Sequence, residues 1–317
     1  MIVASPSSLY SDLDVSAQVD APLAEHTWFG IGGRADLLVR PNSIEALATL
    51  ARRCRRDGIP LRVLGSGANL LVDDEGVDGV VVKLDTECFR RVDFNADGIV
   101  ERMRVFGGAS MEKLVQDSAR RGLRGLEPMS GIPASLGGAI RMNAGGKFGA
   151  IGDVVDAVAV LGADGEQRVF TASELRFGYR ESNLPAGIVL WASLRVAEDD
   201  PIACRERVKE IFAYKKSTQP MAAHSAGCMF RNPVLPDGSR VSAGKLIDQA
   251  GLKGARVGCA FVSAEHGNFI AIDRKAGAPA RTDDLRELVD LIKTRVLDDA
   301  KVELHTEVVF WRRGEAS

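Results

Sequence analysis

Apolar residues recur at helical spacing in some segments and as short runs in others. Ile44, Leu47, Ala48 and Ala51 share one face of a helix running to Arg56, with Asn42 and Glu45 placed as a capping box. A second helix spans Ser110 to Arg121 and stops at Gly122. A third, from Thr282 to about Asp299, carries Leu285, Leu288, Val289, Ile292 and Val296 as core. Helices are also expected over 202–216 and 243–250. Strand-like runs fall at 61–64, 79–83, 188–196 and Val302 to Trp311. Two hairpins are expected, 88–94 with 101–106 around Asn95-Ala-Asp-Gly98, and 154–161 with 166–170 over Gly162-Ala-Asp-Gly165. Strands outnumber helices in the first 200 residues and the order is mixed, which favours α+β over a doubly wound sheet. Asp199-Asp-Pro-Ile is the expected linker to a second unit at 202–313. Residues 1–20, polar and rich in Ser and Asp, read as a loose tail.

Between these elements lie segments too glycine-rich for helices. Ser130 to Gly146 holds five glycines and two serines among a few apolar residues, with no aspartate or glutamate. Such a chain either packs closely or approaches an anion with backbone N–H and hydroxyl groups. Leu61 to Val72 repeats the character: a short strand, then Gly65-Ser-Gly67-Ala-Asn69. That repetition favours a phosphate cradle. A dinucleotide fingerprint fails, because position 70 is Leu and no amphipathic helix follows. A Walker A loop fails as well, since neither Gly-Lys pair is followed by Ser or Thr. Thr27-Trp-Phe-Gly-Ile-Gly-Gly33 adds a third cluster, and three such loops point to a large, phosphate-bearing ligand.

The 317 residues are 45% hydrophobic and 26% charged with net charge −2, enough for two or three domains and no footprint for nucleic acid or an anionic membrane. The basic run Arg52-Arg53-Cys54-Arg55-Arg56 closes the first helix and is expected on a solvated face, complementing the helix terminus. No apolar stretch reaches membrane-spanning length, and the N-terminus lacks the order of a secretory signal. Five cysteines without a C-x-x-C pair argue for a reducing compartment, the cytoplasm by default, and against disulfides or zinc. Histidines 26, 224, 266 and 305 add no metal-ligand spacing, so no metal is expected.

Three spots remain as candidate chemistry. Arg180 follows a glycine turn in Phe177-Gly-Tyr-Arg-Glu-Ser182; taken alone it reads as an ion-pair residue. Cys228 sits among small residues in Ser225-Ala-Gly-Cys-Met-Phe-Arg-Asn-Pro233; alone it reads as a small buried apolar residue. Glu307, in Leu-His-Thr-Glu-Val-Val-Phe, is an edge-strand charge or a buried functional acid.

Taken in order, these segments together with Asn143-Ala-Gly145, Ala243-Gly-Lys-Leu-Ile-Asp-Gln249 and Glu307-Val308 resemble the UDP-N-acetylenolpyruvoylglucosamine reductases, the MurB family, from about Pro22 to Trp311. The resemblance implies a vanillyl-alcohol-oxidase-type FAD fold over 21–198, with subdomains at about 21–100 and 101–198, plus a C-terminal α+β substrate-binding domain. It implies FAD held by Gly65, Ser66, Gly67, Ala68, Asn69, Leu70, Ser130, Gly131, Ile132, Pro133, Ser135, Gly138, Asn143 and Gly145. NADPH is the implied reductant and UDP-N-acetylglucosamine enolpyruvate the implied substrate, reduced to UDP-N-acetylmuramate for peptidoglycan synthesis.

Of the residues that carry the chemistry, Arg180 would stabilise charge developing on the substrate, and Cys228 would deliver a proton where many members use serine. Glu307 would orient the substrate carboxyl or stabilise the enol. Lys216, Arg231 and Asn232, and less strongly Lys245 and Gln249, would contact the sugar nucleotide. An uncharged, weakly reactive thiol is expected at Cys228, since a thiol of pKa about 8.5 stays protonated at neutral pH. Only about fifty residues separate Arg180 from Cys228, with Tyr214 the sole tyrosine between them, which assigns the chain to the family's shorter branch. A monomer is expected. The rival readings are another noncovalent FAD oxidoreductase of the same fold, and a binding protein that holds FAD or a sugar nucleotide without catalysis.

Overall fold

In the computed structural model, which describes residues 6–220, 225–274 and 280–315, the first apolar runs build a four-stranded sheet. Its order is Val15–Pro22, Arg34–Pro41, Val77–Lys83, Leu61–Leu64. The first pair is antiparallel and the others are parallel. Parallel neighbours need a crossover, and Ile44–Arg56 supplies a helical one. Its apolar face (Leu47, Leu50, Ala51, Cys54) is buried with Leu37, Val39, Val80 and Val82. Ser43, not Asn42, caps this helix, accepting from Ala46 N at 3.1 Å. Asn42 instead donates to Asp14 Oδ1 at 2.8 Å.

That bond ties down the N-terminal segment. Residues 1–5 lie outside the described residues, but the rest of the expected tail is structured. Val15–Pro22 forms an edge strand that is mostly solvated, so its polar composition hides a ladder made by the backbone. Leu9 is buried in the core of the first sheet. Arg53, expected on a solvated face, clamps this segment through Leu9 O at 2.9 Å and both carboxylate oxygens of Asp12 at 2.6 and 2.7 Å.

A second, all-antiparallel sheet runs Gln167–Thr171, Val155–Leu161, Ile188–Arg195, Arg102–Phe106, Val92–Asp93. Met111–Arg120 and Leu136–Arg141 bury Met111, Leu114, Val115, Leu136 and Ile140 in one core with Met103, Val105, Val158, Val160, Ala192 and Leu194. The hairpin over Gly162–Gly165 matches expectation. The one around Asn95–Gly98 is shorter than expected, because Glu87–Arg90 coils into a helical turn that buries Phe89 in the first sheet's core.

Pro201–Thr218, capped by Asp200, packs against Met111–Arg120 and the turn Glu127–Met129. Arg207 bonds Glu127 at 3.0 Å and Asp199 at 2.8 Å. The helix expected to open the C-terminal unit is therefore docked on the second sheet's layer, and the chain leaves that layer after Thr218.

The C-terminal unit is a three-stranded antiparallel sheet, Arg256–Val257, Ala260–Val262 and Ile270–Ile272. Thr282–Ala300 covers it, with all five expected core residues buried. Phe29, Ile31 and Leu71 from the N-terminal third are buried in the same core, which joins the units. Only Val309–Trp311 of the expected final strand is a strand, paired in parallel with Leu70–Val72. Before it the chain runs beside 229–231: Arg231 N donates to His305 O at 2.9 Å and Glu307 N to Met229 O at 2.8 Å. Val309 N then donates to Asn69 O at 3.1 Å. The backbone changes partner at Glu307, which places that residue between the Cys228 segment and the first glycine loop.

Candidate active site in the glycine-loop cleft

The units enclose a cleft of about 1430 Å³ lined by both acid-free glycine-rich loops. Pockets for drug-sized ligands are roughly 300–1,000 Å³, so this one has room for a dinucleotide and a second ligand. Gly65 to Leu70 all line it, as do Gly131, Ile132, Pro133, Ser135, Gly138 and Gly145. Gly67 has φ +68°, and a Cβ there would collide with the carbonyl of His26. At Gly65 a Cβ would lie 2.7 Å from Ser135 Oγ. Ser66 Oγ donates to Pro133 O at 2.7 Å, tying one loop to the other. Ser135 caps the Leu136–Arg141 helix.

Two expected cofactor contacts do not line the cleft. Ser130 is buried, its hydroxyl donating to Glu127 O at 2.7 Å. Asn143 uses its amide to brace the Arg180 turn, donating to Gly178 O at 2.8 Å and accepting from Gly152 N at 3.0 Å. The Thr27–Gly33 cluster is likewise a buttress, with Trp28 alone reaching the cleft. Trp28 N donates to Gly67 O and Gly33 N to Asp73 O, so its glycines serve close backbone packing.

Arg180, Cys228 and Glu307 all line this cleft. Arg180 tips the hairpin Phe177–Gly178/Glu181–Ser182 at φ +59°, a left-handed conformation that costs a non-glycine residue about 1–3 kcal/mol. Its Nε donates to Glu307 Oε1 at 2.6 Å and its Nη1 to Gly145 O at 2.9 Å, and neither bond uses Nη2. The Glu307 side chain is 11% exposed, and its Oε2 is buried without a hydrogen-bond partner. Burial raises the Glu307 carboxyl above the ordinary range, opposed by Arg180 and Arg231. The Cys228 thiol is pushed up to about 12 by burial and then by the charge of Glu307, against the pull of Arg180 and a hydrogen bond from Asn268. It is the uncharged thiol the sequence led us to expect.

Of the expected sugar-nucleotide contacts, Asn232 lines the cleft; its Oδ1 accepts from Ala243 N at 3.0 Å and its N–H donates to Tyr179 Oη at 3.3 Å. Arg231 is exposed outside the lining and acts on Glu307 through its charge. Lys245 and Gln249 lie outside the cleft lining: both are exposed on Ala243–Gln249, whose buried face is Ala243, Gly244 and Ile247. Lys216 is outside the lining too. It is exposed, and its neighbour Lys215 is the buried lysine on the cleft.

Lys215 Nζ donates to Pro128 O at 2.9 Å and Ser130 O at 2.6 Å, and burial and Arg180 lower its pKa to about 8. The signal was present in the helix phase, since Cys204, Val208, Ile211 and Lys215 follow one inward stripe. Gly107 and Gly108, also on the cleft, were missed between a strand and a helix signal. Among the described residues no group of three or more His, Cys, Asp or Glu could hold a metal, and no helix is long and apolar enough to cross a membrane. His224 lies outside the described residues.

This large cleft between two α+β units, floored by glycine loops and ending in an arginine, a thiol and a carboxyl, belongs to an FAD-dependent oxidoreductase, as its likeness to known proteins shows. Residues 35–171 match an FAD-binding domain model, and residues 219–311 match the UDP-N-acetylenolpyruvoylglucosamine reductase C-terminal domain. Relatives named UDP-N-acetylenolpyruvoylglucosamine reductase include one from Moorella thermoacetica, 38% identical over 316 residues and 99% of each chain. Another, from Heliobacterium modesticaldum, is 40% identical over 290 residues, 90% of this chain and 88% of that one. The crystal structure of the Thermus caldophilus reductase superposes with TM-score 0.77 at 40% identity, covering 94% of this chain and 99% of the other. The chain belongs to the UDP-N-acetylenolpyruvoylglucosamine reductase family.

Proposed function

We propose that this chain reduces UDP-N-acetylglucosamine enolpyruvate to UDP-N-acetylmuramate, with FAD as cofactor and NADPH as reductant. The observation that carries the reading is the convergence of Arg180, Cys228 and Glu307 in one glycine-lined cleft, from positions far apart in the sequence. The cradle fits FAD: two loops without acidic residues, tied by Ser66, line a cleft of about 1430 Å³, and Gly65 and Gly67 let the first loop pack closely against Ser135 and the His26 carbonyl. When bound, FAD supplies hydride transfer from NADPH to the enolpyruvyl double bond.

The chain's own residues do the rest. Gly65–Leu70 and Gly131–Ser135 would hold the cofactor's phosphates, with Gly138 and Gly145 beside them on the cleft. Arg180, oriented by Glu307 and Gly145 O, turns its guanidinium to the negative charge that develops on the substrate carboxylate and α-carbon. Cys228 holds its proton on Sγ across the neutral range and delivers it to the α-carbon. Arg180 then offsets the charge left on sulfur. Lys215, cationic below about pH 8, lies on the same cleft and suits the nucleotide's diphosphate. The reading places the chain in the cytoplasm as a monomer, in peptidoglycan synthesis and hence in cell-wall growth, shape and division.

Stopped-flow absorbance of the two half-reactions tests it. Cys228→Ala should keep FAD binding and bleaching by NADPH but lose colour return with the enolpyruvyl sugar nucleotide, and Cys228→Ser should retain appreciable activity. Normal colour return in Cys228→Ala would remove the thiol from the mechanism.

A further inference from the structure

We infer that Asn268 positions the Cys228 thiol for proton transfer, an inference that rests on the reading of Cys228 as the proton donor. Asn268 is 2% exposed and does not line the cleft. It grips the Cys228 segment at three points. Its carbonyl accepts from Met229 N at 2.8 Å, its Oδ1 accepts from Phe230 N at 2.9 Å, and its Nδ2 donates to Phe230 O at 2.8 Å. The next residue, Phe269, forms a bridge with Cys228 itself. The opposite edge of the same segment holds Glu307, whose N–H donates to Met229 O. Asn268, the thiol segment and Glu307 thus form three adjacent rows, with the thiol segment held from one edge by Asn268 and from the other by Glu307.

The amide orientation is fixed, because a flipped group would set donor against donor at Phe230 N and acceptor against acceptor at Phe230 O. An amide nitrogen carries two protons, and Phe230 O takes one. The second is left over from that pair, and as a donor beside Cys228 it favours the thiolate left after proton transfer. The turn behind Asn268 is itself pinned, with Asn268 N donating to His266 Nδ1 at 3.2 Å and Ser263 N to Phe269 O at 2.8 Å. A residue that only filled space here would need neither the reciprocal amide pair nor the spare proton.

A double-mutant cycle on the FAD-loaded protein tests this, with both half-reactions read by stopped-flow absorbance. Asn268→Ala should slow colour return with the enolpyruvyl sugar nucleotide roughly 10- to 100-fold, as small misplacements of reacting groups do. Bleaching by NADPH, FAD affinity and KM for the sugar nucleotide should stay within about 2-fold. Added to Cys228→Ala, the change should slow colour return no further. Should Asn268→Ala fail to fold, Asn268→Asp keeps the size and the acceptor while removing the donor, and the same pattern is expected. If colour return stays at the wild-type rate in Asn268→Ala or Asn268→Asp, or the loss adds to that of Cys228→Ala, or both half-reactions slow alike, the positioning role is overturned. Full colour return in Cys228→Ala alone would instead overturn the donor reading itself, so the two failures are distinct.

Discussion

Glu307→Gln removes one charge and almost no volume, and the site should respond in one half of the cycle only. In the native site Glu307 Oε1 lies 2.6 Å from Arg180 Nε, with side-chain exposures of 11% and 23%. Unit charges about 4 Å apart attract by about 4 kcal/mol at an effective dielectric near 20, and desolvation of the carboxylate offsets much of that. Glutamine still accepts the Nε hydrogen bond, and Gly145 O still holds Nη1. The remaining loss of orientation and polarisation is about 1.4–2.8 kcal/mol, or roughly 10- to 100-fold in rate. It should appear in single-turnover colour return with the enolpyruvyl sugar nucleotide, while bleaching by NADPH stays within about 2-fold. The same change removes the negative charge that helps to raise the Cys228 thiol, so iodoacetamide labelling of Cys228 should move to lower pH. Equal slowing of both half-reactions, or a labelling profile that does not move, would refute the arrangement argued for Arg180, Cys228 and Glu307.

Further outcomes can be checked on the same protein. Gly67→Ala forces a side chain into left-handed backbone against the His26 carbonyl, and should weaken FAD binding at least about 10-fold in a flavin fluorescence titration. Lys215 titrates near pH 8, so KM for the sugar nucleotide should rise as pH passes about 8 and the cation is lost, and Lys215→Met should abolish that rise. Its folded pKa lies below the ordinary lysine value of 10.5, so the unfolded chain binds more protons between about 8 and 10.5 and stability climbs with pH there; urea melts of wild type and Lys215→Met measure the difference. Leu288→Ala empties part of the C-terminal core and should cost about 2–5 kcal/mol in a urea melt.

Much of the fold was legible because its signals are local. Ser110 and Gly122 bracket Met111–Arg120, and the period of Leu285 to Val296 fixes the buried face of the last helix. Where expectation failed, a non-local partner decided. Asn42 and Ser43 both suit a helix cap, and Asp14, distant in sequence, draws Asn42 away. Val15–Pro22 exposes most of its side chains, so no apolar alternation marks it, and only the ladder with Arg34–Pro41 makes it a strand. The run at 88–94 is strand-like by composition, yet burying Phe89 in the other sheet's core coils its first turn.

The site shows the same division more sharply. Glycine loops announce themselves, because a backbone that must approach a ligand or another backbone closely excludes side chains wherever it lies in the chain. Which loop lines the cleft is not written in glycine content: Thr27–Gly33 and the loop at 65–70 look alike, and backbone contacts such as the bond from Trp28 N to Gly67 O make the first the support of the second. Lys215 and Lys216 are chemically identical neighbours separated by about 100° of helix, and the phase set by Cys204, Val208 and Ile211 chooses between them. Glu307 could be recognised as a functional acid by resemblance alone. Its physical reason is the change of partner from Met229 to Asn69 between Glu307 and Val309, which sets a carboxyl between the thiol segment and the glycine loop at 65–70. A regular strand from 302 to 311 would have run past that junction. The irregularity that defeats a pattern-based reading is therefore the feature that assembles the site.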